Sequence, residues 1–141
     1  MNYEEALDFL YNRLPMYQRI GAKALNKDLG KTLELCSILG NPQNKFKSVH
    51  IAGTNGKGSS AHGLASILQE AGYKTGLYTS PHLKSYKERI RINGEMIDEQ
   101  FVADFVSKIE KDIIEISPSF FEITVAIAFD YFAQSKVDVA I

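Results

Sequence analysis

Apolar residues recur at helical spacing near the start of the chain. Ala6, Leu7, Leu10 and Leu14 share one face of a helix over Tyr3–Leu14, and Pro15 stops it. Met16–Leu25 has no period and suits a loop. A second helix is expected from Lys27 to Leu39, with Asn26 as N-cap and Gly40-Asn41-Pro42 as its stop. The pattern then changes. Phe46–Ala52, containing Val49-His50-Ile51-Ala52, has the composition of a strand, and it runs into a Gly-rich turn. A helix over Ser59–Ala71, closed by Gly72, and a strand over Lys74–Thr79 follow. Strand, helix and strand within about thirty residues imply a right-handed crossover between parallel strands.

Arg89–Ile97 alternates apolar with polar around Asn93-Gly94, the signature of a tight hairpin. Phe101, Val102, Phe105, Val106, Ile109 and Ile113 then line one face of a helix over Glu99–Ile116, with Asp98 as N-cap and Ser117-Pro118 as breaker. Phe120–Ala133 is apolar on nearly every side, which predicts a helix enclosed by its neighbours. Val137–Ile141 begins a third strand, and the chain stops inside it, as expected of a boundary within a longer domain.

At 141 residues the chain can bury a core, and one α/β unit is expected. Sixteen basic and seventeen acidic side chains nearly cancel, with no cationic cluster of the kind that binds nucleic acid or an anionic membrane. Small-molecule partners are therefore favoured. The single cysteine, Cys36, excludes an internal disulfide and sits in an apolar stretch as a small hydrophobe. The acidic N-terminus lacks the features of a signal peptide, and no apolar run reaches the ~20 residues that span a bilayer. A cytoplasmic location is expected.

Gly53-Thr54-Asn55-Gly56-Lys57-Gly58-Ser59-Ser60 lies between the expected strand and helix, the context of a phosphate-binding loop. Glycines let backbone N–H groups converge on phosphate oxygens, and a helix N-terminus adds a favourable dipole. Lys57 would meet the β- and γ-phosphates of ATP, and the hydroxyl of Ser59 or Ser60 would meet the Mg²⁺ between them. The match departs from G-x-x-x-x-G-K-[ST]: Ile51 stands five residues before Gly56, and Gly58 separates Lys57 from Ser59. The expected fold is thus α/β, a P-loop NTPase-like parallel sheet with flanking helices and a small β-hairpin, truncated within the ATPase domain.

Val49-His50-Ile51-Ala52-Gly53-Thr54-Asn55-Gly56-Lys57-Gly58-Ser59 resembles the phosphate loop of the folylpolyglutamate synthase/dihydrofolate synthase family, which carries the extra glycine. Thr79-Ser80-Pro81-His82-Leu83 with Glu88-Arg89-Ile90-Arg91-Ile92-Asn93-Gly94 is similar to the block after that family's second strand. Phe121-Glu122-Ile123-Thr124, Ala128–Phe132 and Val137-Asp138-Val139-Ala140 look like its next segment. The resemblance implies that residues 1–141 are the N-terminal part of an ATP-binding domain like the central domain of Mur ligases, with the C-terminal glutamate-binding domain absent. It implies an ATP- and Mg²⁺-dependent ligase, acting as a monomer, that joins L-glutamate to folate or dihydropteroate through an acyl phosphate. Gly53–Ser60 would hold ATP, with Lys57 the catalytic residue, and Ser59 and Ser80 would be metal ligands.

Other residues carry two readings. His82 would touch phosphate or substrate, or be a packed loop residue. Phe120 and Phe121 would stack on a flat pteridine ring, while Ser119-Phe120-Phe121-Glu122 is also a capping-box pattern that gives Glu122 a structural task. Arg19-Ile20-Gly21-Ala22-Lys23 would hold another part of the folate site. Lys84, Lys87, Arg89 and Arg91 are either a solvated charged loop or aids to an anionic substrate. Competing functions are a Mur-type peptidoglycan precursor ligase, disfavoured by Gly58 and the Ser80-Pro81-His82-Leu83 block, and a non-catalytic P-loop nucleotide-binding module.

Overall fold

A computed structural model describes residues 1–14 and 28–141. The expected loop Met16–Leu25, with Arg19–Lys23, and the Asn26 cap lie outside the described residues. The described elements run α1 (Tyr3–Arg13), α2 (Gly30–Ile38), β1 (Lys47–Ser48), α3 (Lys57–Glu70), β2 (Thr75–Tyr78), β3 (Ile90–Ile92), β4 (Glu95–Met96), α4 (Glu99–Ile116), α5 (Phe120–Gln134) and β5 (Val139–Ala140). Short 3-10 turns cover Pro42–Asn44 and Tyr86–Arg89. The chain divides into two compact units rather than the single expected one: Met1–Asn41 with Glu99–Phe129, and Pro42–Asp98 with Asp130–Ile141.

The first unit is helical. At the start of α1, Asn2 Oδ1 accepts the Glu5 N–H at 2.9 Å and Glu5 Oε2 accepts the Asn2 N–H at 2.7 Å, so two backbone donors are satisfied reciprocally. Ala6, Phe9 and Leu10 face inward. Helix α2 is preceded by a turn in which Asp28 Oδ1 takes the Gly30 N–H at 2.9 Å, and the expected start at Lys27 lies outside the described residues. Cys36 is buried there as a free thiol, and burial pushes its pKa up. Both helices pack against α4, whose bounds match the sequence pattern and whose axis is interrupted at Ile109 (φ −113°, ψ 19°). Helix α5 starts with a buried capping box: Ser119 donates its N–H to Glu122 Oε2 at 3.0 Å, and Glu122 donates its N–H to Ser119 Oγ at 3.1 Å. Glu122 is therefore a cap, and the apolar run behind it is enclosed as expected, with Ile123, Ala126, Ile127 and Ala128 almost fully buried.

The second unit is built on a sheet of order β1-β5-β2-β3-β4. The expected parallel sheet is mixed: β5 pairs in parallel with β1 and β2, and the hairpin adds β3 and β4 antiparallel. Asn93 and Gly94 turn the hairpin with φ of 49° and 81°, a mirror-image turn that matches strand twist. Three strands are shorter than expected. Phe46–Ala52 gives only Lys47–Ser48, Lys74–Thr79 gives Thr75–Tyr78, and Val137–Ile141 gives Val139–Ala140. In the hairpin segment, Arg89 belongs to the preceding 3-10 turn.

Close approach decides one position in this unit. A Cβ at Gly76 would come within 2.8 Å of the Phe132 ring, which also meets Phe46 edge-on at a centroid distance of 5.8 Å. Gly76→Ala is expected to lower the unfolding free energy by about 1–3 kcal/mol through overpacking, read by urea denaturation. Phe132→Leu in the same chain should recover part of the loss. A Gly76→Ala protein as stable as the parent would contradict this packing.

Candidate functional site

The turn after β1 is exposed from Ala52 through Ser60. The Val49 N–H donates to the Ala140 carbonyl at 2.8 Å, extending the parallel ladder by one bond before the chain leaves the sheet. Helix α3 then begins at Lys57, two residues ahead of the expected Ser59, because Gly56 takes the N-cap position with φ 76° and ψ 1°. That left-handed conformation suits glycine, which has no Cβ to clash. The helix has no side-chain cap and no acidic residue in its first turn. Its first intrahelical donor is the Ser60 N–H, to the Gly56 carbonyl at 2.9 Å. The N–H groups of Lys57, Gly58 and Ser59 thus precede the hydrogen-bonded ladder, at the positive end of the helix dipole and beside a lysine.

This arrangement fits a polyphosphate: a bare helix N-terminus, a cation, and Gly58, where a Cβ would meet nothing within 4 Å. Ala61 and Ala65 form a small-residue face that packs on Leu77, with Ile51 and Ile141 against the same cluster. Small side chains seat the helix close to the strand and so fix where its first turn lies. For a divalent cation the chain offers the hard hydroxyl oxygens of Ser59 and Ser80, a donor set suited to Mg²⁺ that keeps water and phosphate ligands. Among the described residues no group of three or more His, Cys, Asp or Glu could hold a metal.

Ser80 follows β2 and is exposed, with a cis bond to Pro81. Since β1 and β2 run parallel on either side of β5, the Gly53–Ser60 turn and Ser80 leave the sheet at the same edge, where open α/β sheets bind ligands. The loop from Ser80 returns to the sheet through the Tyr86–Arg89 turn. Glu88 accepts three backbone N–H groups, from Leu83 at 2.9 Å, Lys84 at 3.0 Å and Ser85 at 2.8 Å. Arg89 Nε donates to His82 Nδ1 at 2.7 Å, and the His82 ring stands edge-on to Tyr86. Because a guanidinium always donates, Nδ1 of His82 is an acceptor and the neutral ring carries its proton on Nε2. Burial, then the Arg89 charge, holds the His82 pKa below its ordinary value, with Glu88 opposing.

Comparison with known proteins decides the family. The chain is 37% identical over 146 residues to the dihydrofolate synthase/folylpolyglutamate synthase of Bacillus subtilis, covering 99% of this chain and 32% of that protein. The chain belongs to the folylpolyglutamate synthase/dihydrofolate synthase family. The folylpolyglutamate synthase of Thermotoga maritima matches with a TM-score of 0.85 at 41% identity, over 98% of this chain and 32% of that one. An FPGS–AMPPCP–folate complex matches with a TM-score of 0.81 at 35% identity, over 99% and 34%. No family model matches the sequence. The chain spans about a third of the length of these synthases.

In this synthase-family chain the Gly53–Ser60 loop, Ser80 and His82 all belong to the second unit, and Phe120 and Phe121 to the first. Phe120 is buried and stacks on Tyr11 at 5.2 Å, so of the two aromatic residues Phe121, 53% exposed, presents the accessible ring. Arg89 corrects its sequence reading as a solvated or substrate-facing charge, because it is 4% exposed and packed under the Ser80 loop. Sequence reasoning missed two further residues. Tyr78 is a buried phenol pushed up to about 12 by burial, against the opposing effects of Arg89 and of its contact with Ser80. Glu88 was legible as the fourth position of Ser85-Tyr86-Lys87-Glu88, a capping box that the structure forms. No helix among the described residues is long and apolar enough to cross a membrane.

The three N–H donors hold the Glu88 carboxyl at about 2, against an ordinary value of 4.5. A depressed carboxyl pKa adds stability that is present above the ordinary value and lost as pH falls toward the folded one. The denaturant midpoint of the parent should therefore exceed that of Glu88→Gln above about pH 5, and the gap should close between about pH 4.5 and pH 2. A gap that stays constant across that window would show that the carboxylate charge is not what holds the loop.

Proposed function

We propose that this chain carries the phosphate-binding part of an ATP-dependent ligase that adds L-glutamate to folate, to dihydropteroate, or to both, through an acyl-phosphate intermediate. The observation that carries the reading is the uncapped, exposed N-terminus of α3 with Lys57 in its first turn, at the sheet edge it shares with Ser80. Its support from relatives is the naming of the Bacillus subtilis protein and the complex of a similar synthase with AMPPCP and folate.

A carboxylate resists attack by an amine because its charge and resonance remove its electrophilicity. Converting it to a mixed anhydride with phosphate overcomes both, and ATP is the phosphoryl donor. The protein's part is positioning and charge neutralisation. The N–H groups at the start of α3 orient the phosphate chain, and Lys57 places a point charge where negative charge builds up during transfer. Ser59 and Ser80 would hold Mg²⁺, and Phe121 offers a flat apolar ring to a pteridine. The protein acts as a monomer in the cytoplasm, and residues 1–141 belong to its ATP-binding domain.

The test is phosphate release by a protein that carries this chain at the length of its relatives, with ATP, Mg²⁺ and glutamate and with dihydropteroate, tetrahydrofolate or a muramyl-nucleotide precursor as acceptor. Release is expected only with the pterin-containing acceptors, and Lys57→Ala should lower it roughly 100-fold or more, the scale of losing a main electrostatic stabiliser. Release with the muramyl precursor alone, or release indifferent to Lys57, would overturn the assignment.

A further inference from the structure

Two consecutive residues shape the loop that carries Ser80. The Glu88 carboxylate gathers the N–H groups of Leu83, Lys84 and Ser85, and so closes the second half of the loop. The Arg89 guanidinium, almost fully buried, holds His82 in the first half and lies with Ser80 against the Tyr78 hydroxyl. Arg89 is anchored on the sheet, and Glu88 precedes it directly. The Thr79 N–H donates to the Arg89 carbonyl at 2.9 Å, and Tyr78 is paired with Ile90 across β2 and β3. The loop therefore leaves and rejoins the sheet at neighbouring points and is braced across its width at both halves.

We propose that Glu88 and Arg89 are positioning residues for Ser80, holding the end of β2 and the following loop in the shape that receives the nucleotide-bound divalent cation. The inference rests on the ligase reading, in which Ser80 is a cation ligand. Neither residue need touch the cation. Glu88 points its charge at backbone amides, and Arg89 works through His82 and Tyr78. A loop braced in this way has its ordering completed during folding, so cation binding does not lose affinity to it. The cation requirement, rather than nucleotide affinity as such, should then depend on the braces.

The experiment uses the protein at the length of its relatives, with two readouts besides turnover. One is amide hydrogen exchange at Leu83, Lys84 and Ser85 without ligand; the other is the Mg²⁺ concentration giving half-maximal calorimetric binding of a non-hydrolysable ATP analogue. Glu88→Gln is expected to speed exchange at those amides and to raise the Mg²⁺ requirement, each roughly tenfold, the effect of losing a charge-assisted hydrogen bond. Nucleotide binding without Mg²⁺ should stay within about twofold of the parent, because the α3 amides and Lys57 carry it. Faster exchange with an unchanged Mg²⁺ requirement would overturn the proposal and leave Glu88 a structural brace. A changed Mg²⁺ requirement with unchanged exchange would overturn it too, since the effect would not pass through the loop. If Glu88→Gln fails to fold, Arg89→Lys, which keeps the charge but loses the planar Nε donor to His82, carries the Mg²⁺ readout, with the His82 tautomer read by NMR in place of amide exchange; a freed tautomer with an unchanged Mg²⁺ requirement would overturn the proposal. Nucleotide binding that survives Lys57→Ala would instead overturn the ligase reading, and the role of Ser80 with it.

Discussion

The backbone ladder of β5 is the constraint on which the second unit depends. Strands β1 and β2 do not bond to each other; each pairs with β5. The Val49 N–H reaches the Ala140 carbonyl, the Ile141 N–H reaches the Gly76 carbonyl, and the Tyr78 N–H returns to the Ile141 carbonyl. Lys47 stands in register with Val139, so the pairing joins distant parts of the sequence. A two-residue strand such as β1 cannot hold a turn in place alone, and the phosphate loop acquires a defined origin only once the last described segment has docked. The entropy of closing so long a loop must be met before the site exists.

Upon that ladder the chain uses carboxylates and small side chains for separate tasks. Glu5, Glu88 and Glu122 each satisfy backbone donors at the start of a helical segment, paired with Asn2, Ser85 and Ser119. Helix α3 has no such partner and begins bare. Those three starts are closed by an internal carboxylate, whereas α3 starts open beside Lys57, and open amides next to a cation give it its chemical character. Ala61 and Ala65 complete it by letting that helix sit low on Leu77.

The long helices and the hairpin were legible because their signals are local. The periodicity of Glu99–Ile116, the Asn93-Gly94 turn and the Ser119–Glu122 box need only neighbours in sequence. The phosphate loop was legible for the same reason, since glycines, lysine and serines act within one turn. Strand lengths and order were not: whether Phe46–Ala52 forms two ladder residues or seven depends on β5, far along the chain. The burial of Arg89 was equally hidden, because a charged residue at the head of an alternating segment looks solvated until Tyr78 and His82 are folded against it. Gly76 gave no sign of the Phe132 ring above it.

The Glu88 hydrogen bonds also bear on selectivity among anions. Successive N–H groups turned to one side make a concave electropositive nest that attracts phosphate or carboxylate wherever it occurs. The amides of Leu83, Lys84 and Ser85 form such a nest near the same sheet edge as the phosphate loop, and it comes with its own carboxylate already seated. An incoming polyphosphate that met both clusters would have to displace a tethered anion at one and only water at the other. On the proposed reading of the α3 start as the nucleotide site, Glu88 would act as a resident competitor, and a nucleotide would be directed to that first turn by occupancy as well as by attraction.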